Sequence, residues 1–140
     1  MKVINNNEIV MVDDNEAEIY IASMYLEKSK LKNPLLSFNS GPDFLDYLES
    51  VKKGVKPIPA LVLLDLRMPL MDGFQVLSKV REEPMFDEIP IMIIFSNSND
   101  EEDINKAMEL RANGYQIKPS GSEEYIRFFN SLIEGVRVAT

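Results

Sequence analysis

Asp13 and Asp14, Asp65, Ser96 and Lys118 are residues that can bind a cation, attack an electrophile or steady an anion, and each stands at the end of a short, largely apolar run. The runs are Ile9-Val10-Met11-Val12 before the aspartate pair, Leu61-Val62-Leu63-Leu64 before Asp65, Ile91 to Phe95 before Ser96, and Tyr115-Gln116-Ile117 before Lys118. Continuous apolar runs of this length, bounded by turn residues, read as strands buried on both faces. In an open parallel sheet the carboxyl ends of the strands share one edge, and chemistry is placed there. Carboxylates brought to that edge repel one another, by about 4 kcal/mol for a pair near 4 Å at an effective dielectric of about 20. Hard oxygen ligands at an open edge suit Mg²⁺, which keeps several waters and takes one or two carboxylates plus a phosphate oxygen. Lys118 would add a fixed positive charge beside it. Taken singly, the aspartates and Ser96 could be helix caps and Lys118 a solvated side chain; their convergence is what points to chemistry.

The elements that must position these residues alternate along the chain. After the first strand, Asn15 followed by Glu18 fits a helix N-cap, and Ala17, Tyr20, Ile21, Met24 and Tyr25 form a helical stripe that is expected to be core. Leu35 to Phe38 reads as a second strand, and Gly41-Pro42 opens a helix carrying Phe44, Leu45 and Leu48. Lys52 to Pro59 is a basic, stiff connector into the third strand, whose tip should expose Asp65 at the mouth of a crevice. Pro69 and Asp72-Gly73 mark a loop and turn before a helix outlined by Phe74, Val76, Leu77 and Val80, and residues 82–89 read as an acidic loop. After the fourth strand, Ser98 with Glu101 could form a capping box for a helix using Ile104, Ala107 and Met108, ended by Asn113-Gly114. Ser122 to Val138 is the last helix, with Ile126, Phe129, Ile133 and Val136 at helical spacing. Five strands alternating with five helices predict one α/β domain over residues 1–140, with a parallel sheet.

Composition narrows the function classes. The chain carries 15 Lys and Arg against 23 Asp and Glu, a net charge of −8 that disfavours nucleic acid and anionic membrane and favours a protein partner. It has no Cys, so no disulfide, and no His, which removes the commonest general base and any phosphohistidine carrier from this chain. No apolar run is long enough for a membrane span and the first eight residues are too polar for a signal peptide, so a cytoplasmic location is expected.

The ordered set Val12-Asp13-Asp14, Asp65-Leu66-Arg67-Met68-Pro69-Leu70-Met71-Asp72-Gly73, Ser96 and Lys118-Pro119 resembles the receiver domain of two-component response regulators, from about Glu8 to Val138. The resemblance implies a doubly wound, flavodoxin-like sheet of strand order 2-1-3-4-5. It implies that Asp65 is the phosphoryl acceptor, Asp14 the direct Mg²⁺ ligand, Asp13 the holder of metal water, and Arg67 the residue whose backbone carbonyl completes the coordination. Ser96 and Lys118 would contact the phosphoryl group, Tyr115 would swing inward on activation, and the Lys118–Pro119 bond would be cis. A carboxylate can attack phosphorus without a general base because it is already ionised. Such a protein is not an enzyme in the ordinary sense: it catalyses only its own phosphorylation and dephosphorylation. Its partners would be a sensor histidine kinase or phosphotransfer protein and a downstream protein target, and apolar side chains on the last two helices could serve a homodimer or a partner equally.

Some details depart from the family pattern. Ser96 stands six residues after Pro90, one more than is usual, although the 22 residues from Ser96 to Lys118 and the three from Tyr115 to Lys118 fit. Asn97 takes a place where a very small residue is more usual, which could narrow access to the phosphoryl group. Nothing basic follows the last helix, so a single-domain regulator without a DNA-binding output is expected. A flavin module would need a phosphate-cradling loop where Asp13 and Asp14 stand. A phosphatase with an aspartyl nucleophile would want an acid at Arg67. The alternative that survives is a pseudo-receiver, an interaction module working without phosphorylation.

Overall fold

Side chains along each apolar run alternate between two faces, and each face finds its own hydrophobic partner. In the computed structural model, which describes residues 5–134, the strands are β1 (Ile9–Val12), β2 (Leu35–Phe38), β3 (Leu61–Leu64), β4 (Ile91–Ser96) and β5 (Gly114–Ile117). They alternate with α1 (Glu16–Lys28), α2 (Gly41–Lys52), α3 (Gly73–Arg81), α4 (Glu101–Glu109) and α5 (Ser122–Ser131). Every pairing is parallel and the order is β2-β1-β3-β4-β5, as the sequence implies. Val10, Val12, Val62, Leu64, Met92 and Ile94 face a core completed by α2, α3 and α4 through Phe44, Leu48, Val76, Leu77, Val80 and Ala107. Ile9, Met11, Leu61, Leu63, Ile93 and Phe95 face the other core, built with Ala22 and Leu26 of α1 and Tyr125, Phe128 and Phe129 of α5.

The ladder runs on past the strand ends into the candidate site. The Asp13 amide donates to the Phe38 carbonyl, the Asp65 amide to Val12 and the Lys118 amide to Ser96, at 3.0, 2.9 and 2.8 Å. Asp13, Asp65 and Lys118 are thus placed by the same kind of backbone bond that sets the sheet register.

Helix faces differ from the sequence expectation in four places. On α1, Tyr20 and Ile21 are exposed while Ala22 and Leu26 are buried, with Ile19 and Tyr25 packed beside them. This helix is apolar nearly all round, so periodicity alone does not select the stripe that docks. On α5 the buried line is Tyr125, Phe128, Phe129 and Leu132; Ile133 is exposed, and Val136 lies outside the described residues, as do 135–138 of the expected helix. The N-cap of α4 is Asp100, whose side chain accepts from the Glu102 amide, because Ser98 is engaged elsewhere. The same helix ends at a left-handed Arg111 (φ 68°), whereas Asn113 turns inward to accept the buried Met92 amide at 2.6 Å and Gly114 begins β5.

Two connectors are also more ordered than expected. Residues 82–89 contain a 3-10 helix, Pro84–Glu88, because Phe86 and Ile89 are buried against the α2–α4 side of the sheet. Lys52 belongs to α2 and pairs with Glu83 at 2.9 Å.

Gly73 ties the loop after β3 to its helix. Its amide donates to the Leu66 carbonyl at 2.9 Å, and a Cβ placed there would meet the Asp65 carbonyl oxygen at 2.4 Å and Leu66 Cα at 3.0 Å. Backbone cannot step aside as a flexible side chain can. Gly73→Ala is expected to lower stability in urea denaturation by about 1–3 kcal/mol. Gly114→Ala, where the nearest contact is 3.7 Å, should stay within about 0.5 kcal/mol of wild type, as for a substitution without a clash.

Candidate functional site

At the carboxyl edge of the sheet, Asp13, Asp14, Asp65, Arg67, Ser96 and Lys118 line one pocket of about 240 Å³. The five strand-end residues singled out from the sequence are therefore brought together, with Arg67 beside them. Asp13 and Ser96 are buried, as are Asp65 and Lys118, while Asp14 is exposed. Asp65 is thus not the exposed tip that was expected: only 8% of it is accessible. Its backbone continues the β3 ladder by pairing with Val12, which draws the side chain into the floor of the pocket rather than its mouth.

Lys118 occupies the centre of the charge arrangement. Its ammonium donates to Asp13 Oδ2 at 2.8 Å and stands 3.4 Å from Asp65 Oδ1. Asp13 spends its second oxygen on the Asn15 amide at 2.9 Å, which fixes the carboxylate plane. Burial opposes the charge on Lys118, but the hydrogen bond it donates to Asp13 and the Asp65 and Asp13 charges outweigh it and hold the ammonium above the ordinary lysine range. For Asp65 the balance goes the other way. Burial, and then the Asp13 carboxylate, push it up to about 6, against the pull of Lys118.

One lysine does not neutralise three carboxylates. Oxygen atoms of Asp13, Asp14 and Asp65 all lie within 4.8 Å of one another. This is a hard, anionic donor set on an open pocket, and it fits a small divalent cation better than a soft one.

Sequence reasoning missed part of the pocket wall. Asn15 and Glu18, read only as a cap, line it, as does Ser98; Asn97, read as narrowing access to the site, lines it too. Ser98 accounts for much of the local order: its amide donates to Ser96 Oγ at 3.1 Å, its hydroxyl to Asp103 Oδ2 at 2.8 Å, and its carbonyl accepts the Tyr115 hydroxyl at 2.8 Å. Asp103 Oδ2 also accepts from Arg67 Nη2 at 2.8 Å. The position of Ser98, two residues past Ser96, was the available signal, but nothing in the sequence pairs it with Asp103. Tyr115 is half-buried against the α2–α4 side core. No cis peptide bond occurs among the described residues, so Lys118–Pro119 is trans, contrary to what the resemblance implies; trans is the form an unconstrained X–Pro bond favours.

Comparison with known proteins bears on this geometry. The model of the response regulator receiver domain matches residues 9–129. The probable methanogenesis regulatory protein FilR2 of Methanothrix harundinacea is 30% identical over 126 residues, covering 90% of this chain and 81% of that protein. Among solved structures, the chain is similar to response regulator RPA3017 in red light signalling of R. palustris, with a TM-score of 0.82 at 25% identity over 96% of this chain and 99% of that one. It is also similar to the phosphorylated cyanobacterial phytochrome response regulator RcpA, with a TM-score of 0.79 at 26% identity over 93% of both chains. A strand order of 2-1-3-4-5, an acidic pocket at its carboxyl edge and a family match over nearly all the described residues lead to one conclusion: the chain belongs to the response regulator receiver domain family of two-component signalling.

Proposed function

We propose that this receiver accepts a phosphoryl group on Asp65, with Mg²⁺ as cofactor, and signals by changing its contacts with other proteins. The observation that carries the reading is the placement of Asp65 on the pocket floor, 3.4 Å from the Lys118 ammonium and within 4.8 Å of the Asp13 and Asp14 carboxylate oxygens. Asp13, Asp14 and Asp65 would hold the ion, joined by the Arg67 backbone carbonyl. When bound, the ion supplies positive charge where phosphate oxygens gather.

The protein's own residues account for the rest. An ionised Asp65 oxygen attacks phosphorus, a bond from oxygen to phosphorus forms, and the donor leaves with the electron pair of the bond it loses. Lys118 neutralises charge on the transferring group, and Ser96 has a hydroxyl proton free to donate, since its oxygen is acting as acceptor toward Ser98. These 140 residues hold no His, so a phosphohistidine donor lies outside them, on a sensor kinase or a phosphotransfer protein. Phosphorylation of the similar cyanobacterial regulator RcpA supports the same chemistry here. No helix among the described residues is long and apolar enough to cross a membrane, which agrees with a cytoplasmic site of action.

Incubation with Mg²⁺ and acetyl phosphate, read by intact mass, tests this. A single phosphoryl adduct that needs Mg²⁺, disappears in Asp65→Asn and forms at least about tenfold more slowly in Lys118→Ala is expected, since one charge-stabilising donor contributes roughly 10²–10³ in rate where it acts fully. No adduct on the wild-type chain, or one indifferent to Asp65, would leave the pseudo-receiver reading standing.

Stability provides an independent check. The folded chain holds Asp65 up at about 6 against an ordinary value of 3.8, so its ionisation opposes folding above pH 6 and ceases to do so as pH falls toward 4. In EDTA at pH 7.5, Asp65→Asn should therefore be more stable than wild type by about 1–3 kcal/mol. The gap should shrink as pH falls below about 6 and close below about pH 4. Mg²⁺ at millimolar concentration should raise the Tm of the wild type and leave the variant nearly unmoved. A gap that widens on acidification would contradict the assignment.

A further inference from the structure

We propose that Asp103, on the first turn of α4, is a positioning residue that keeps the Arg67 guanidinium out of the metal-ion pocket. The inference rests on reading that pocket as a Mg²⁺ site. Arg67 lies two residues past Asp65 and lines the pocket with it. Its side chain is long, always charged, and two-thirds exposed. Left unpaired, its charge would stand on the wall of the pocket that Asp13, Asp14 and Asp65 also line, where the divalent ion belongs.

The geometry shows what prevents this. Asp103 Oδ2 takes Arg67 Nη2 at 2.8 Å and the Ser98 hydroxyl at 2.8 Å, so one oxygen holds a residue of the β3–α3 loop and one of the β4–α4 loop. The carboxylate is only 13% exposed, and a shielded acceptor is screened less by salt. As a contribution to stability an ion pair with one exposed partner is small. Its consequence lies in where the arginine charge is spent. With Arg67 paired to α4, the pocket keeps the negative charge of Asp13, Asp14 and Asp65 against Lys118 alone. The same oxygen turns the Ser98 hydroxyl toward α4, so the Ser96 hydroxyl has no competing donor from Ser98's side chain.

Calorimetry of Mg²⁺ binding to the unphosphorylated full chain tests the assignment without using activity. Asp103→Asn should raise the Kd roughly fivefold, the size expected of one freed charge facing a divalent ion across a few ångströms of wet pocket. Asp103→Glu, which keeps a carboxylate for Arg67, should hold the Kd within about twofold of wild type and separates lost pairing from misfolding, while Arg67→Gln is added only to Asp103→Asn. The double variant should return to the wild-type Kd. Glu102→Gln, which removes the same charge from the same helix turn without touching Arg67, should leave the Kd within about twofold. A shift in Asp103→Asn no larger than in Glu102→Gln would overturn the proposal, as would a double variant that stays weak or an Asp103→Glu chain as weak as Asp103→Asn. Absence of Mg²⁺ binding to the wild-type chain would overturn both this inference and the metal-site reading; normal wild-type binding with unaltered Asp103→Asn would overturn this inference alone.

Discussion

The register of the parallel ladder is the constraint on which the rest depends. β1, β3 and β4 pair in step, Ile9 with Leu61 and Leu61 with Ile91, and the same bonds continue to Asp13 and Asp65 beyond the strands. A slip of one residue would turn every side chain to the other face. Here both faces are filled, by side chains of different size, so a slip would force Phe95 and Met11 from the α1–α5 core into the opposite one. The hydrophobic packing of the two layers therefore sets the positions of carboxylates that take no part in it. Gly73 serves the same end, since only a residue without Cβ lets α3 begin against the Asp65 and Leu66 backbone.

What the register assembles is electrostatically unfavourable. Asp65 is raised to about 6 because it is buried beside Asp13. Lys118 relieves part of this, and it is itself committed first to Asp13, at 2.8 Å, and only more loosely to Asp65, at 3.4 Å. That inequality fits the nucleophilic role proposed for Asp65: a carboxylate locked into the shortest ion pair would have to break it before reacting, whereas Asp65 keeps a looser neighbour. The strain is local, and the two apolar cores on either side of the sheet carry it.

Strands and strand ends were legible in the sequence for a physical reason. A strand buried on both faces must be apolar throughout, so Leu61 to Leu64 shows its end by the charge of Asp65 that follows, and Ile91 to Phe95 does the same with Ser96. Helix faces were legible on α2 and α3, where Phe44, Leu48, Phe74, Val76, Leu77 and Val80 are buried as expected, but not on α1. The stripe of Tyr20 and Ile21 on α1 and the stripe of Ala22 and Leu26 are both apolar, and only contact with α5 decides between them. The burial of Asp65 was missed because exposure was inferred from its place at a strand tip. The Arg67–Asp103 pair was beyond reach as well: the partners are 36 residues apart, and the contact exists only because the loop after β3 meets the first turn of α4.

The hydroxyl of Ser96 illustrates how such a site can be read out by the surface. A hydroxyl offers one donor and two acceptor sites, and in this structure Ser96 accepts from the Ser98 amide. It can therefore donate to an anion at Asp65 without releasing Ser98, so that a shift of Ser96 toward the pocket draws Ser98 with it. Ser98 in turn holds the Tyr115 hydroxyl through its carbonyl and Asp103 through its hydroxyl. On the proposed function, a displacement at the pocket would reach β5 through the Tyr115 hydroxyl and α4 through Asp103, both bonded to Ser98 at 2.8 Å. Coupling of this form is bistable where Ser98 cannot satisfy both old and new positions, and an added charge at Asp65 shifts populations by no more than its differential interaction with the two. On the proposed function, the Ser98 bonds to Tyr115 and Asp103 would contribute to that difference, since a moving Ser96 would have to strain them or carry them along.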